Sequence, residues 1–121
     1  MLNAALPESR NILLSIRPNY VDKILAGEKT VELRRRFTRN PVHGSKIVIY
    51  SSSPVRAIVG IAQIKDVLEL PLAEIWDRHG KSACITKEQF DAYFDGIKTG
   101  VAIFLEKVVA FSSHLSAAEL S

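Results

Sequence analysis

The sequence predicts an α+β chain, a small curved sheet or barrel with helices at its openings. Three observations carry that prediction. Strand-like and helix-like stretches follow one another in the order β-α-β-β-β-α-α-β. A single helix separates the first two strands and two helices separate the last two, a pattern that suits a curved sheet with helices at its ends. The chain has 121 residues, 47% hydrophobic and 24% charged. That is one ordinary domain, residues 1–121 with a core over about 11–111, able to bury that core without a disulfide or a metal.

Each element has its own reason. "NILLSIR" (11–17) is apolar and β-branched, with Ile12, Leu14 and Ile16 on one face, and it stops at Pro18. Pro18 suits the first turn of a helix, Tyr20, Val21, Ile24 and Leu25 repeat at helical spacing, and Gly27 supplies the C′ position. "KTVELRRRF" (29–37) reads as a second strand with Val31, Leu33 and Arg35 on one face and Thr30, Glu32, Arg34 and Arg36 on the other. "TRNPVHGS" (38–45) is rich in turn formers. "KIVIYSSS" (46–53) is a third strand ended by Pro54, and 56–70 a long fourth in which Gly60 marks a bend or bulge. Pro71 opens a helix that Gly80 is expected to close. Thr86 is expected to cap the next helix, with Gln89 completing a capping box and Phe90, Tyr93 and Phe94 as its apolar stripe. Residues 100–111 form a last strand, followed by a loose tail.

Charge is uneven. Between Lys29 and Lys46 stand six cations (Lys29, Arg34, Arg35, Arg36, Arg39, Lys46) and one acid, Glu32. The segment carries +5 in a chain of net +3, so the remainder is mildly acidic. A local basic patch of this kind fits an anionic ligand such as nucleic acid. Cys84 is the single cysteine, and Cys84, His43, His79 and His114 show no metal-ligand spacing. No metal and no cofactor are therefore expected. The first ten residues lack a basic stretch ahead of an apolar one, and no apolar run approaches the roughly 20 residues of a membrane span. The expectation is a cytoplasmic protein without a membrane partner. There is no phosphate-binding glycine loop and no nucleophile elbow.

The stretch Gly27-Glu28-Lys29-Thr30-Val31-Glu32-Leu33-Arg34 reads G-x-K-x-x-E-x-R and follows a strand and a short helix. In that setting it resembles the ASCH domain family of the PUA-like superfamily, small stand-alone bacterial type. "ILLSIRPNYVDKILAGEKTVELRRR" and "IYSSSPVRAIVG" are similar to the N-terminal half and the following strand-turn-strand of such members. The resemblance implies a PUA-like β-barrel of about five to six mostly antiparallel strands with two to three short helices at its openings. It also implies a cleft beside the motif for RNA or a nucleotide-like ligand. Family members are linked to RNA binding and to transcriptional coactivation, some are amidohydrolases acting on acylated cytidine, and nuclease activity has been attributed to others. A protein partner in transcription or translation is a further implication.

The motif residues divide by chemistry. A carboxylate between two cations stays ionised, accepts hydrogen bonds well and takes up a proton poorly. By the same logic Lys29 is expected to stay protonated, so the site binds first, with Lys29, Glu32 and Arg34 as ligand-binding residues. An internal salt bridge would explain the same Lys-Glu-Arg spacing. Arg17, Tyr50, Ser51, Ser52 and Ser53 are further candidate ligand contacts, and Arg36 and Arg39 candidate backbone-phosphate contacts. Arg35 is expected to snorkel from the core edge. If the chain is catalytic, the candidates are Lys29, Glu32 and Thr30. The family's amidohydrolases use a lysine, a threonine three residues later and a later glutamate. Lys29 matches the lysine, Glu32 stands at the threonine's position, and Glu69 and Glu74 are the later glutamates considered.

Overall fold

The computed structural model describes residues 11–37 and 44–116. Arg39 and His43 lie outside the described residues. Within them the order is β1 (Asn11–Ile16), α1 (Pro18–Leu25), β2 (Val31–Arg34), β3 (Lys46–Ser51), β4 (Ala57–Pro71), α2 (Leu72–Ala83), α3 (Lys87–Tyr93) and β5 (Thr99–Leu115). The five strands form one sheet in the order β1-β3-β4-β5-β2. β1 and β3 run parallel and the other neighbouring pairs antiparallel.

The sheet does not close into the expected barrel. Among the described residues β1 pairs only with β3 and β2 only with β5, so both remain edges. β2 is also shorter than the sequence suggests, because Lys29 and Thr30 belong to the turn before it. That turn is a Schellman motif built on Gly27 at φ +82°: Glu28 N–H donates to Lys23 O and Gly27 N–H to Ile24 O.

Two apolar clusters pack the molecule. The larger lies between one sheet face and α1, with Leu14, Ile16, Ile24, Ile47, Ile49, Ile64 and Ile103. The smaller lies on the other face of β2 and β5, where Val31, Leu33 and Ala102 meet Ile75, Ala83, Phe90 and Phe94 of α2 and α3 and their flanks. Alternation along β2 therefore buries Val31 and Leu33 under the helices and turns Glu32 and Arg34 to the side of the larger core.

Two expectations about ends are corrected. α2 runs through Gly80 to Ala83 and ends at Cys84, which takes the left-handed conformation at φ 55°. Gly80 serves packing: a Cβ there would lie 2.9 Å from the Trp76 ring. β5 extends to Leu115, so residues 112–115 are strand and not loose tail. The capping box forms as expected, with Gln89 N–H donating to Thr86 Oγ1 and Thr86 N–H to Gln89 Oε1.

The pairing of β3, β4 and β5 shifts register next to Gly60, as expected of a bulge. A Cβ at Gly60 would sit 2.6 Å from Val109 O, a backbone atom that cannot swing aside. Gly60→Ala is expected to cost about 2 kcal/mol, in the range for forced overpacking. The check is the urea midpoint at unchanged slope. An unchanged midpoint would mean that β4 and β5 separate there without strain.

Candidate functional site

The gap between the two sheet edges defines the site. Ser52 N–H donates to Ile16 O, so alternation points the neighbouring Ser15 O out of the sheet, at the free edge of β1. Leu105 N–H donates to Thr30 O, which likewise turns Val31 O to the free edge of β2. Among the described residues no strand receives either carbonyl, and side chains take the place of one. The Arg34 guanidinium donates to Ser15 O at 3.0 Å, and Lys29 Nζ donates to Val31 O at 2.9 Å and to Ala83 O at 2.6 Å.

Glu32 holds both cations. Its Oε1 lies 3.4 Å from Lys29 Nζ, and its Oε2 lies 2.8 Å from Arg34 NH2 and 3.0 Å from Arg34 Nε. Lys29 is 4% exposed and Glu32 6%. The three protons of the ammonium thus face Val31 O, Ala83 O and Glu32. Burial pushes the Lys29 pKa below the ordinary lysine value, and the adjacent Glu32 carboxylate opposes part of that shift. This qualifies the expectation that Lys29 simply stays protonated. The internal salt bridge read as one option in the sequence is present, and the same three side chains also line a cleft.

The cleft has a volume of about 460 Å³ and opens between α1, β2 and α3. Arg17 and Ser15 line one wall, Lys29, Glu32 and Arg34 the floor, and Gln89 and Tyr93 of α3 the other wall. Tyr20 spans it: its ring lies 5.0 Å from Lys29 Nζ, and its hydroxyl donates to Gln89 Oε1 at 3.3 Å. Charge inside is net positive, since Glu32 is matched by Lys29 and Arg34 and Arg17 adds a further cation.

The structure brings Lys29, Glu32, Arg34 and Arg17 together and leaves the other described candidates out. Thr30 is exposed and does not line the cleft, and its backbone bonds to Ser82 and Leu105. Tyr50, Ser51, Ser52 and Ser53 are not among the lining residues, and Ser51 is buried in β3. Arg36 lies exposed beyond the end of β2 and does not line the cleft. Arg35 does not snorkel from the core: its NH1 donates to Tyr93 O and Asp95 O at 2.8 and 2.9 Å, closing the C-terminal end of α3. Sequence reasoning missed Tyr20, Gln89 and Tyr93 as residues of the cleft. Tyr93 was placed in the apolar stripe, yet Phe90 and Phe94 are buried while Tyr93 is 38% exposed. Its hydroxyl was the available signal.

A second hollow of about 480 Å³ lies between α2 and α3 over Trp76 and Phe90. Its lysine, Lys87, is paired with Asp91 at 2.6 Å, and no sequence-predicted site residue lines it.

Comparison with known proteins gives the family. A relative described as the ASCH domain-containing ribonuclease of Zymomonas mobilis is 30% identical over 100 residues, 83% of this chain and 67% of that one. The chain belongs to the ASCH domain family. The crystal structure of ASCH from Zymomonas mobilis matches with a TM-score of 0.86 at 26% identity, over 93% of this chain and 78% of that one. A point mutant of the same protein matches at 0.85 and 26%, over 92% and 78%. A family model described as a domain of unknown function (DUF365) matches residues 10–119. The ASCH chains share the fold described above, and no helix among the described residues is long and apolar enough to cross a membrane.

The floor of the ASCH cleft should be costly to dismantle. Lys29→Met leaves two carbonyls without a donor and Glu32 buried with one cation. The expected loss is about 3–5 kcal/mol, the range for breaking a buried ion pair from one side. With Glu32→Gln as the second substitution, a double-mutant cycle in urea should return a coupling of about 1–3 kcal/mol. Additivity within about 0.5 kcal/mol would show that the pair is no more than a surface contact.

Proposed function

We propose that this ASCH domain binds RNA and seats one unpaired nucleotide in the cleft between α1, β2 and α3. The observation that carries the reading is the pairing of aromatic faces with an excess of positive charge. Tyr20 and Tyr93 offer rings for a base, and Arg17, Arg34 and Lys29 offer cations with a single carboxylate among them. Single-stranded RNA is held by stacking on aromatic side chains and by cations along its backbone. The volume is of the order expected for a small-ligand site. The name of the Zymomonas mobilis relative, a ribonuclease, supports RNA as the ligand class. Arg36, and Arg39 from the sequence, are the proposed contacts for neighbouring phosphates.

The reading is tested by fluorescence anisotropy with short single-stranded oligoribonucleotides over a salt series. Affinity should fall as salt rises. Arg17→Ala should lower the log–log salt slope by about 0.7, the share of one phosphate contact on a single strand. Tyr93→Ala should weaken binding roughly tenfold, within the stacking contribution of one base. Absence of salt-sensitive binding, or an unchanged affinity in Tyr93→Ala, overturns the reading. The same samples run on a denaturing gel report whether the RNA is also cut.

Deacylation of an acylated cytidine is supported by one feature, a cleft lysine whose pKa is held down by burial. Its partners are not beside it. Thr30 does not line the cleft, Glu69 accepts from Thr99 Oγ1, and Glu74 pairs with Arg78. We expect no product from an N4-acylated cytidine above the level of Lys29→Ala, followed by chromatography. Turnover that depends on Lys29 would make this chain an amidohydrolase.

A further inference from the structure

We propose that Gln89 reads the base in the cleft and selects one with a carbonyl, not an amino group, at the pyrimidine 4 or purine 6 position. The proposal rests on the RNA-binding reading above and assigns the chemistry of its specificity.

The argument starts from the capping box. Thr86 N–H is a donor, so the Gln89 atom facing it at 3.3 Å must be the amide oxygen. Which end of the amide is which is thereby fixed by chemistry. The Tyr20 hydroxyl also donates to that oxygen, at 3.3 Å. An amide oxygen has two lone pairs, and both are engaged. Gln89 can offer an incoming base only its NH2 group, for which no partner stands among the described residues. Thr86 Oγ1 holds the Gln89 backbone N–H at 3.1 Å, so the side chain leaves a pinned helix start.

The cations of the cleft have the same polarity. Arg17 and the NH1 group of Arg34 are donors without acceptor capacity, while the Lys29 protons are engaged within the floor and the Glu32 oxygens face Lys29 and Arg34. A base placed between Tyr20 and Tyr93 meets the Gln89 NH2 as a fixed donor, beside hydroxyls that can donate or accept. Uracil and hypoxanthine answer that donor with an oxo group where cytosine and adenine present NH2. In the second case two donors face each other in a partly dry site, and one is left unsatisfied.

The test uses five-nucleotide oligoribonucleotides with abasic flanks and one central base, which removes differences in self-stacking. Wild type should bind the uracil strand over the cytosine strand, and hypoxanthine over adenine, by on the order of five- to tenfold. Gln89→Glu keeps an acceptor for Thr86 N–H and Tyr20, so the capping box survives, but it replaces NH2 with a carboxylate oxygen. Its overall affinity should fall because the added charge opposes phosphate. The readout is the ratio, which should collapse to one or invert toward cytosine and adenine. A melting temperature close to wild type confirms that the helix start is intact. Equal binding of the four strands by wild type, or a ratio unmoved by Gln89→Glu, overturns the base-reading proposal and leaves RNA binding standing. Failure of every strand to bind removes the RNA reading itself.

Discussion

Two strand edges face each other across a gap that no strand of the described residues fills, and one buried carboxylate holds the gap together. A buried ion costs several kcal/mol in lost hydration unless charge and hydrogen bonds replace the water. Glu32 meets that requirement with one cation on each oxygen. Each cation also donates to a carbonyl that the unclosed sheet leaves pointing outward, Arg34 to Ser15 O of β1 and Lys29 to Val31 O of β2. The result is a polar seam in place of a strand pair. It ties β1 to β2, and through Ala83 O it ties β2 to the end of α2. In a closed barrel those carbonyls would have backbone partners, and Lys29 and Arg34 would have had no reason to gather at the edge. The open sheet and the basic cleft floor are the same fact.

The opposite wall is held by different means. α3 spans only seven residues, too few to be stable alone. Its start is fixed by the reciprocal Thr86–Gln89 bonds, its end by Arg35 reaching back from β2, and its middle by Phe90 and Phe94 in the smaller core. One helical stripe thus splits. Two rings go into packing, and Tyr93, between them in sequence, stays half out of the core over the cleft. Both walls lean on β2, whose two faces serve two purposes: Val31 and Leu33 seat the helices, while Glu32 and Arg34 hold the seam.

Much of this was legible in the sequence. The element order, the Gly27 turn, the capping box and the Gly60 irregularity each follow from a local rule, and local rules suffice where neighbouring residues decide. The motif residues Lys29, Glu32 and Arg34 were found for the same reason. What was not legible depends on residues distant in sequence. Period-two alternation is identical for parallel and antiparallel neighbours, so the parallel β1–β3 pair left no trace. Closure depends on whether β1 and β2 meet, which no stretch of chain encodes by itself. Gly80 looked like a terminator because the ring that lies over it, that of Trp76, is one turn away and its direction is invisible in one dimension. Thr30 was assigned to the Glu32 face by extending alternation past the true start of the strand. Tyr50 and Ser51–Ser53 were drawn in as polar groups near a strand end, though the cleft opens on the other edge of β1. Tyr20 and Gln89 were explained locally, as a helix packing residue and a cap, and so were not asked to do more.

The seam also bears on whether this cleft does chemistry. Burial of Lys29 favours the neutral amine, which is the form a base or nucleophile needs. Yet three acceptors converge on its nitrogen, and an amine with only two protons would leave one of them unanswered in a buried place. The geometry therefore opposes what desolvation favours. A group that must lose a proton to act would first have to give up a bond that joins β2 to α2 or to Glu32. An anion entering the cleft strengthens the cationic form of Lys29 further, because negative charge nearby favours the protonated amine. On these grounds the resting site is built to hold charge in place. Any reaction in it would draw on the ligand's own groups, oriented by fixed donors, more than on proton transfer by Lys29.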